Sequence, residues 1–143
     1  MEPSDPDYRH RVAPIIESTR FIRHIGMTLD DCGPGWCRTR IPVEDSLLQQ
    51  DGFVHAGVQG TMADHTSGCA GLTLVKPDQT VLTIEFKVNL LRPALGETLL
   101  CRAEVLRPGR SVIVAESWVE VLSGDTRKLC AKATVTLAVV PIP

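Results

Sequence analysis

The sequence predicts an α+β fold in which one antiparallel β-sheet wraps a single long α-helix, and three observations carry that expectation. In VLTIEFKVNLL, residues 81–91, apolar Leu82, Ile84, Phe86, Val88 and Leu90 alternate with Thr83, Glu85, Lys87 and Asn89, the period of a strand with one face on a core. Three further runs, ETLLCRAEVL, SVIVAESWVEVL and KLCAKATVTLAVV, are divided by the turns RPGR and SGDTR, so hairpin connections and antiparallel pairing are expected. Ahead of the strands, the segment from Val58 to about Leu74 has no proline, is long enough for roughly four to five helical turns, and is built mostly of Gly, Ala, Ser and Thr. A helix so thin suits a strongly curled sheet. Only side chains as small as those of Gly57, Gly60, Ala63, Ser67, Gly68, Ala70 and Gly71 let the two backbones approach closely.

In chain order, residues 1–10 read as a flexible polar arm. APIIESTRFIRHIGM then repeats apolar residues at near-helical spacing through Ile15, Ile16, Phe21, Ile22 and Ile25, which predicts a first helix over about residues 12–24. MTLDDCGPGWCRTRIPV places strand-forming residues on both sides of Gly33-Pro34-Gly35, a turn signal, so a hairpin or a bent strand pair is expected there. The long helix follows, Pro77-Asp78 closes its connection to the first long strand, and Pro93 ends that strand.

Composition narrows the class. The 143 residues suit one domain, residues 1–143, able to bury its own core. Charged residues make up 22% and the formal net charge is -2, so neither disorder nor a general attraction to nucleic acid is indicated. Cys32, Cys37, Cys69, Cys101 and Cys130 are odd in number and lack paired spacing, which argues against a zinc site and a disulfide framework and fits reduced thiols in a cytoplasm. No run approaches the ~20 apolar residues of a membrane span, and the N-terminus lacks an export pattern.

One residue stands out. Asp64 lies among small and apolar neighbours on a helix the sheet should cover, while His55-Ala56-Gly57 opens that helix, where free backbone N–H groups can face an anion or a developing oxyanion. Donors at the helix start and an acid two turns along could flank one reacting carbonyl. His55 and His65 do not read as metal ligands, since a helical ligand pair is spaced by about four residues and these are ten apart and out of line around the axis. Asp64, His65 and Ser67 cannot converge as a triad from one helix, because neighbouring residues point apart. His55 is expected to shape the entry to the helix and His65 to be packed or at an interface.

GFVHAGVQGTMADHTSGCA is similar to a motif of the hotdog-fold acyl-CoA thioesterases, in particular the phenylacetic-acid-degradation thioesterase type: His, Gly or Ala, Gly, six residues of any kind, then Asp. TIEFKVNLLRPALGETL matches the strand-turn-strand block that follows it in that family, and the resemblance covers about residues 40–140. It implies the hotdog fold and hydrolysis of an acyl- or aryl-acyl-CoA thioester, with coenzyme A as part of the substrate, no separate cofactor and no metal. Asp64 would activate water or attack the thioester directly. The backbone N–H of Ala56 or Gly57 would polarise the thioester oxygen, Gln49 would hold the thioester or the water, and Thr83 would orient the water. His55 completes the motif.

The resemblance also implies a nucleotide edge. Arg107, Gly109, Arg110 and Ser111 would meet phosphate and pantetheine, with Asn89, Arg92 and Pro93 as neighbours, since guanidinium forks match phosphates. A homodimer or a dimer of dimers, a homotetramer, is expected, with the site at the subunit boundary and Asp64 facing Gln49 and Ala56-Gly57 of the other chain. A non-catalytic acyl-CoA-binding or scaffold protein on the same fold is the alternative; Asp64 argues against it, because a binder needs no carboxylate beside the thioester.

Overall fold

In the computed structural model, which describes residues 1–143, the chain runs α1 (Tyr8–Ser18), α2 (Arg20–His24), β1 (Thr28–Gly33), β2 (Trp36–Pro42), a 3-10 turn (Asp45–Leu47), α3 (Ala56–Leu72), β3 (Gln79–Leu90), β4 (Thr98–Pro108), β5 (Val112–Ser123) and β6 (Thr126–Pro141). The six strands form one antiparallel sheet in the order β1-β2-β4-β5-β6-β3, and α3 contacts β2, β3, β4, β5 and β6. This is the hotdog architecture: a sheet curled around a central helix.

The small side chains of α3 serve the packing expected of them. A Cβ on Gly71 would stand 2.8 Å from a Leu137 methyl, so this turn of the helix lies against β6 and an alanine here would require the Leu137 side chain to shift. Where α3 carries polar side chains into the core, its own backbone satisfies them. Thr66 donates to the Met62 carbonyl at 2.6 Å and Ser67 to the Ala63 carbonyl at 2.8 Å, while Ser117 of β5 donates to the same Ala63 carbonyl at 3.2 Å. Hydrogen bonding removes most of the cost of burying a hydroxyl.

The hairpin forms as expected. Pro34-Gly35 is a two-residue loop between β1 and β2, and Gly35 takes φ +80°, which a proline-glycine turn requires of its second position.

Two expectations need correction. Residues 1–10 are not a flexible arm: α1 begins at Tyr8, Asp5 is buried, and Arg11 joins Asp5 at 3.3 Å to the Lys76 carbonyl at 3.0 Å and to the Gln79 carbonyl. That guanidinium staples the N-terminus to the α3–β3 connection. The first helix is also two helices, because Thr19 leaves helical geometry at ψ 115°.

β3 holds the third difference. Strict alternation would put Thr83 and Phe86 on opposite faces, but the register shifts between Thr83 and Glu85, so Thr83 pairs with Leu137 and Phe86 with Val135. Both partners are buried. Ile84 is the extra residue of a β-bulge, and through it Thr83 and Phe86 both face α3.

Candidate active site

Asp64 sits midway along α3 on the side that meets β3. The bulge at Ile84 turns Thr83 toward it, and Thr83 Oγ1 donates to Asp64 Oδ1 at 2.7 Å. Sequence alternation had placed Thr83 with the outward residues; the extra residue at Ile84 brings it inside.

The helix start is arranged by His55. As N-cap, its Nδ1 accepts from the Gly57 amide at 2.8 Å, which fixes the imidazole proton on Nε2. The Gly57 N–H is therefore occupied, and of the two amides expected to face an oxyanion, Ala56 keeps its donor free. Gln49 lies in the loop that precedes the helix. Its Oε1 accepts from the backbone of Asp51 and, at 3.4 Å, of Phe53, and its Nε2 donates to Asp51 Oδ2 at 3.5 Å, which leaves one side-chain N–H to offer a ligand.

Asp64 and the Ala56 amide do not converge within one chain. Eight residues of α-helix span roughly 12 Å, too far for both to touch a single carbonyl group. The nucleotide-edge residues are divided too. Arg107 near the end of β4 and Gly109, Arg110 and Ser111 of the β4–β5 turn lie beside the end of β3 that holds Val81, since the Val139 amide, paired with Val81, donates to the Ser111 carbonyl at 2.9 Å. Asn89, Arg92 and Pro93 lie at the other end of β3, roughly 25 Å away along the strand. The expectation that the two groups are neighbours thus fails within one chain. Gly109 serves its turn, where a Cβ would strike the Val112 carbonyl oxygen.

Beside Asp64 and Thr83 lies a cavity of about 190 Å³, walled also by His65, Gly68, Cys69 and Leu72 of α3 and by Val81 of β3. His65 is packed, as expected. Burial pushes its imidazole below the ordinary histidine value, against the opposing pull of the Asp64 carboxylate, and its Nε2 is buried without a partner. Gly68 also walls this cavity, a place that its small size, expected to serve close packing, does not signal in the sequence.

All five cysteines are free and buried, and burial pushes the Cys101 thiol up to about 12, far from the thiolate a nucleophile needs. No three His, Cys, Asp or Glu side chains come together in a way that could hold a metal ion. No helix is long and apolar enough to cross a membrane.

Comparisons with known proteins bear on the family and the fold. The family model described as the thioesterase superfamily matches residues 51–130. The crystal structure of a thioesterase family protein from Silicibacter pomeroyi superposes with a TM-score of 0.92 at 34% identity, covering 94% of this chain and 99% of that one. The 1,4-dihydroxy-2-naphthoyl-CoA hydrolase of Listeria monocytogenes is 25% identical, over 80% of this chain and 91% of its own length. Acyl-coenzyme A thioesterase 13 of Homo sapiens is 26% identical, over 87% of this chain and 88% of its own.

Proposed function

This chain belongs to the thioesterase superfamily and is a thioester hydrolase, and from that premise we propose that it cleaves acyl-CoA to free acid and coenzyme A with Asp64 as the catalytic carboxylate. The observation that carries the reading is the 2.7 Å hydrogen bond from Thr83 to Asp64 Oδ1. It holds the carboxylate in one orientation and leaves Oδ2 to act on water or on the thioester carbon.

With water as nucleophile, Asp64 takes a proton as the water oxygen bonds to the thioester carbon. The carbonyl oxygen becomes an oxyanion at the Ala56 amide, where a preorganised donor and the helix dipole favour negative charge. Collapse of this intermediate breaks the carbon–sulfur bond, and the departing thiolate of coenzyme A takes the proton. Gln49 and the Nε2–H of His55 supply further donors beside the helix start.

Because Asp64 and the Ala56 amide stand roughly 12 Å apart along α3, this reading takes the oxyanion donor from a second chain. The outer edge of β3 has no strand partner, and Leu82, Ile84, Phe86 and Leu90 are exposed along it, an edge that pairing with a second copy would cover. A two-fold axis there runs the two α3 helices antiparallel, bringing the Ala56 amide and Gln49 of one chain toward Asp64 of the other. The same axis reverses β3, so Asn89, Arg92 and Pro93 of one chain approach the β4–β5 turn of its mate, with Arg107, Arg110 and Ser111 toward phosphate and pantetheine.

Asp64→Asn tests the assignment. It keeps shape and hydrogen bonding but takes no proton at neutral pH, so kcat should fall roughly 10²- to 10⁴-fold with KM little changed. Thioester cleavage followed by released thiol measures this, with circular dichroism and sedimentation confirming fold and assembly. A folded dimeric Asp64→Asn protein within a few-fold of the parent rate would sink the mechanism.

A further inference from the structure

The glycines of α3 are not equivalent. A Cβ on Gly71 would stand 2.8 Å from Leu137, one on Gly57 would stand 3.0 Å from the His55 ring, and one on Gly60 would touch the Phe86 ring at 3.7 Å. A Cβ on Gly68 would meet nothing within 4 Å. Glycine inside a helix destabilises it relative to alanine, and at Gly68 no neighbour in the chain offsets that cost.

Gly68 also has a particular address. It follows Asp64 by four residues, so the two share one helix face a single turn apart, with about 5–6 Å between their Cβ positions. Both line the cavity of about 190 Å³, whose remaining walls include Ile15, Leu72, Val81 and Leu137. A thioester carbon held at Asp64 therefore has the first carbons of its acyl group beside Gly68, among apolar side chains.

We propose that Gly68 determines which acyl groups this enzyme accepts: the cavity it leaves open beside Asp64 receives the acyl group and takes a compact one, a short chain or a single ring. The inference rests on Asp64 being the catalytic carboxylate. Size sets the class, because an apolar cavity of about 150 Å³ accommodates benzene. The cavity here is somewhat larger, open, and lined by His65, Thr80 and Thr83 as well as by apolar side chains, enough for a ring with a small polar substituent or a short alkyl chain, whereas a long fatty chain would have to leave it.

The test is kcat/KM for acetyl-, butanoyl-, benzoyl- and dodecanoyl-CoA in the parent, Gly68→Ala and Gly68→Leu, with sedimentation and thermal melting of each. In the parent, butanoyl- and benzoyl-CoA should be preferred to dodecanoyl-CoA. A leucine at this position fills the space beside the thioester, so the ratio of kcat/KM for benzoyl-CoA over acetyl-CoA should fall roughly 10- to 200-fold, the discrimination one methylene of misfit supplies. Gly68→Ala should shift the ratio less and raise the melting temperature. If Gly68→Leu lowers every acyl-CoA equally, leaves the ratios unchanged, or breaks the dimer, the open space is not the acyl cavity.

Asp64→Asn separates the two readings, since it should lower turnover on every acyl group alike. An inactive Asp64→Asn with a flat Gly68→Leu profile overturns the cavity alone. An active Asp64→Asn with a reordered Gly68→Leu profile overturns the role of Asp64 instead.

Discussion

Strands β3 and β5 are each 12 residues long, yet burial alternates without a break along only one of them. In β5, Ile113, Ala115, Ser117, Val119 and Val121 are buried at every second position, between β4 on one side and β6 on the other. β3 has a ladder on β6 alone, and its apolar side chains are largely exposed. A strand held on both sides has its register set twice. A strand held on one side can absorb an extra residue, and β3 does so at Ile84. Alternation therefore identifies β3 as a strand but does not report its inward face, which the extra residue at Ile84 resets.

The largest effect that could break this comparison is on stability. Ile113 of β5 is fully buried, whereas Ile84 is exposed on the bulge. Ile113→Ala should cost about 2–5 kcal/mol through lost burial and the cavity left behind, and Ile84→Ala should change stability by no more than about 0.5 kcal/mol at a protein concentration low enough to leave the chain monomeric. Denaturant unfolding at fixed protein concentration reads both, and comparable losses would mean that the bulge is packed like the centre of the sheet.

A second, smaller effect sharpens what the bulge achieves. A hydrogen bond to a charged partner contributes about 1.5–3 kcal/mol, so Thr83→Val, which keeps the shape and removes the donor, should lower kcat roughly 10- to 100-fold. Thr83→Ser should recover most of that loss. If the valine variant turns over as the parent does, the bulge only accommodates the strand edge and has no part in aligning Asp64.

The smallest effect concerns the cavity that β3 closes over His65. Burial lowers this histidine's pKa, so the unfolded chain binds its proton more readily than the folded one. The contribution to stability is complete above the ordinary value of 6.5 and is lost as the pH falls below it. The parent should melt progressively lower on acidification below that value, and His65→Gln should show a shallower decline. Parallel curves for the two proteins would assign the acid sensitivity to other groups.

Much of the fold was legible because its signals are local. Helix α3 was expected over about 58–74 and occupies Ala56–Leu72, the displacement at its start arising from His55, which caps the Gly57 amide and lets the helix begin earlier. The split of the first helix at Thr19 had no comparable signal, as the apolar spacing of Ile15, Ile16, Phe21, Ile22 and Ile25 runs through the break. Asp64 could be singled out as an acid with no solvated face to occupy. Thr83 was harder, since its face depends on one inserted residue and Ile84 is neither glycine nor proline.

The sequence by itself determined the kinds of element, their order, the antiparallel sheet and the thinness of the helix, because period, turn residues and side-chain volume act over a few residues. Tertiary structure decided the rest: that the N-terminus is stapled by Arg11, that β3 lies at the open edge beside β6, that Thr83 meets Asp64, and that Gly68 faces space while Gly71 faces Leu137. Two glycines three residues apart are chemically identical in a sequence. What differs is the distance to atoms from strands more than sixty residues further along the chain, and only the folded chain sets that distance.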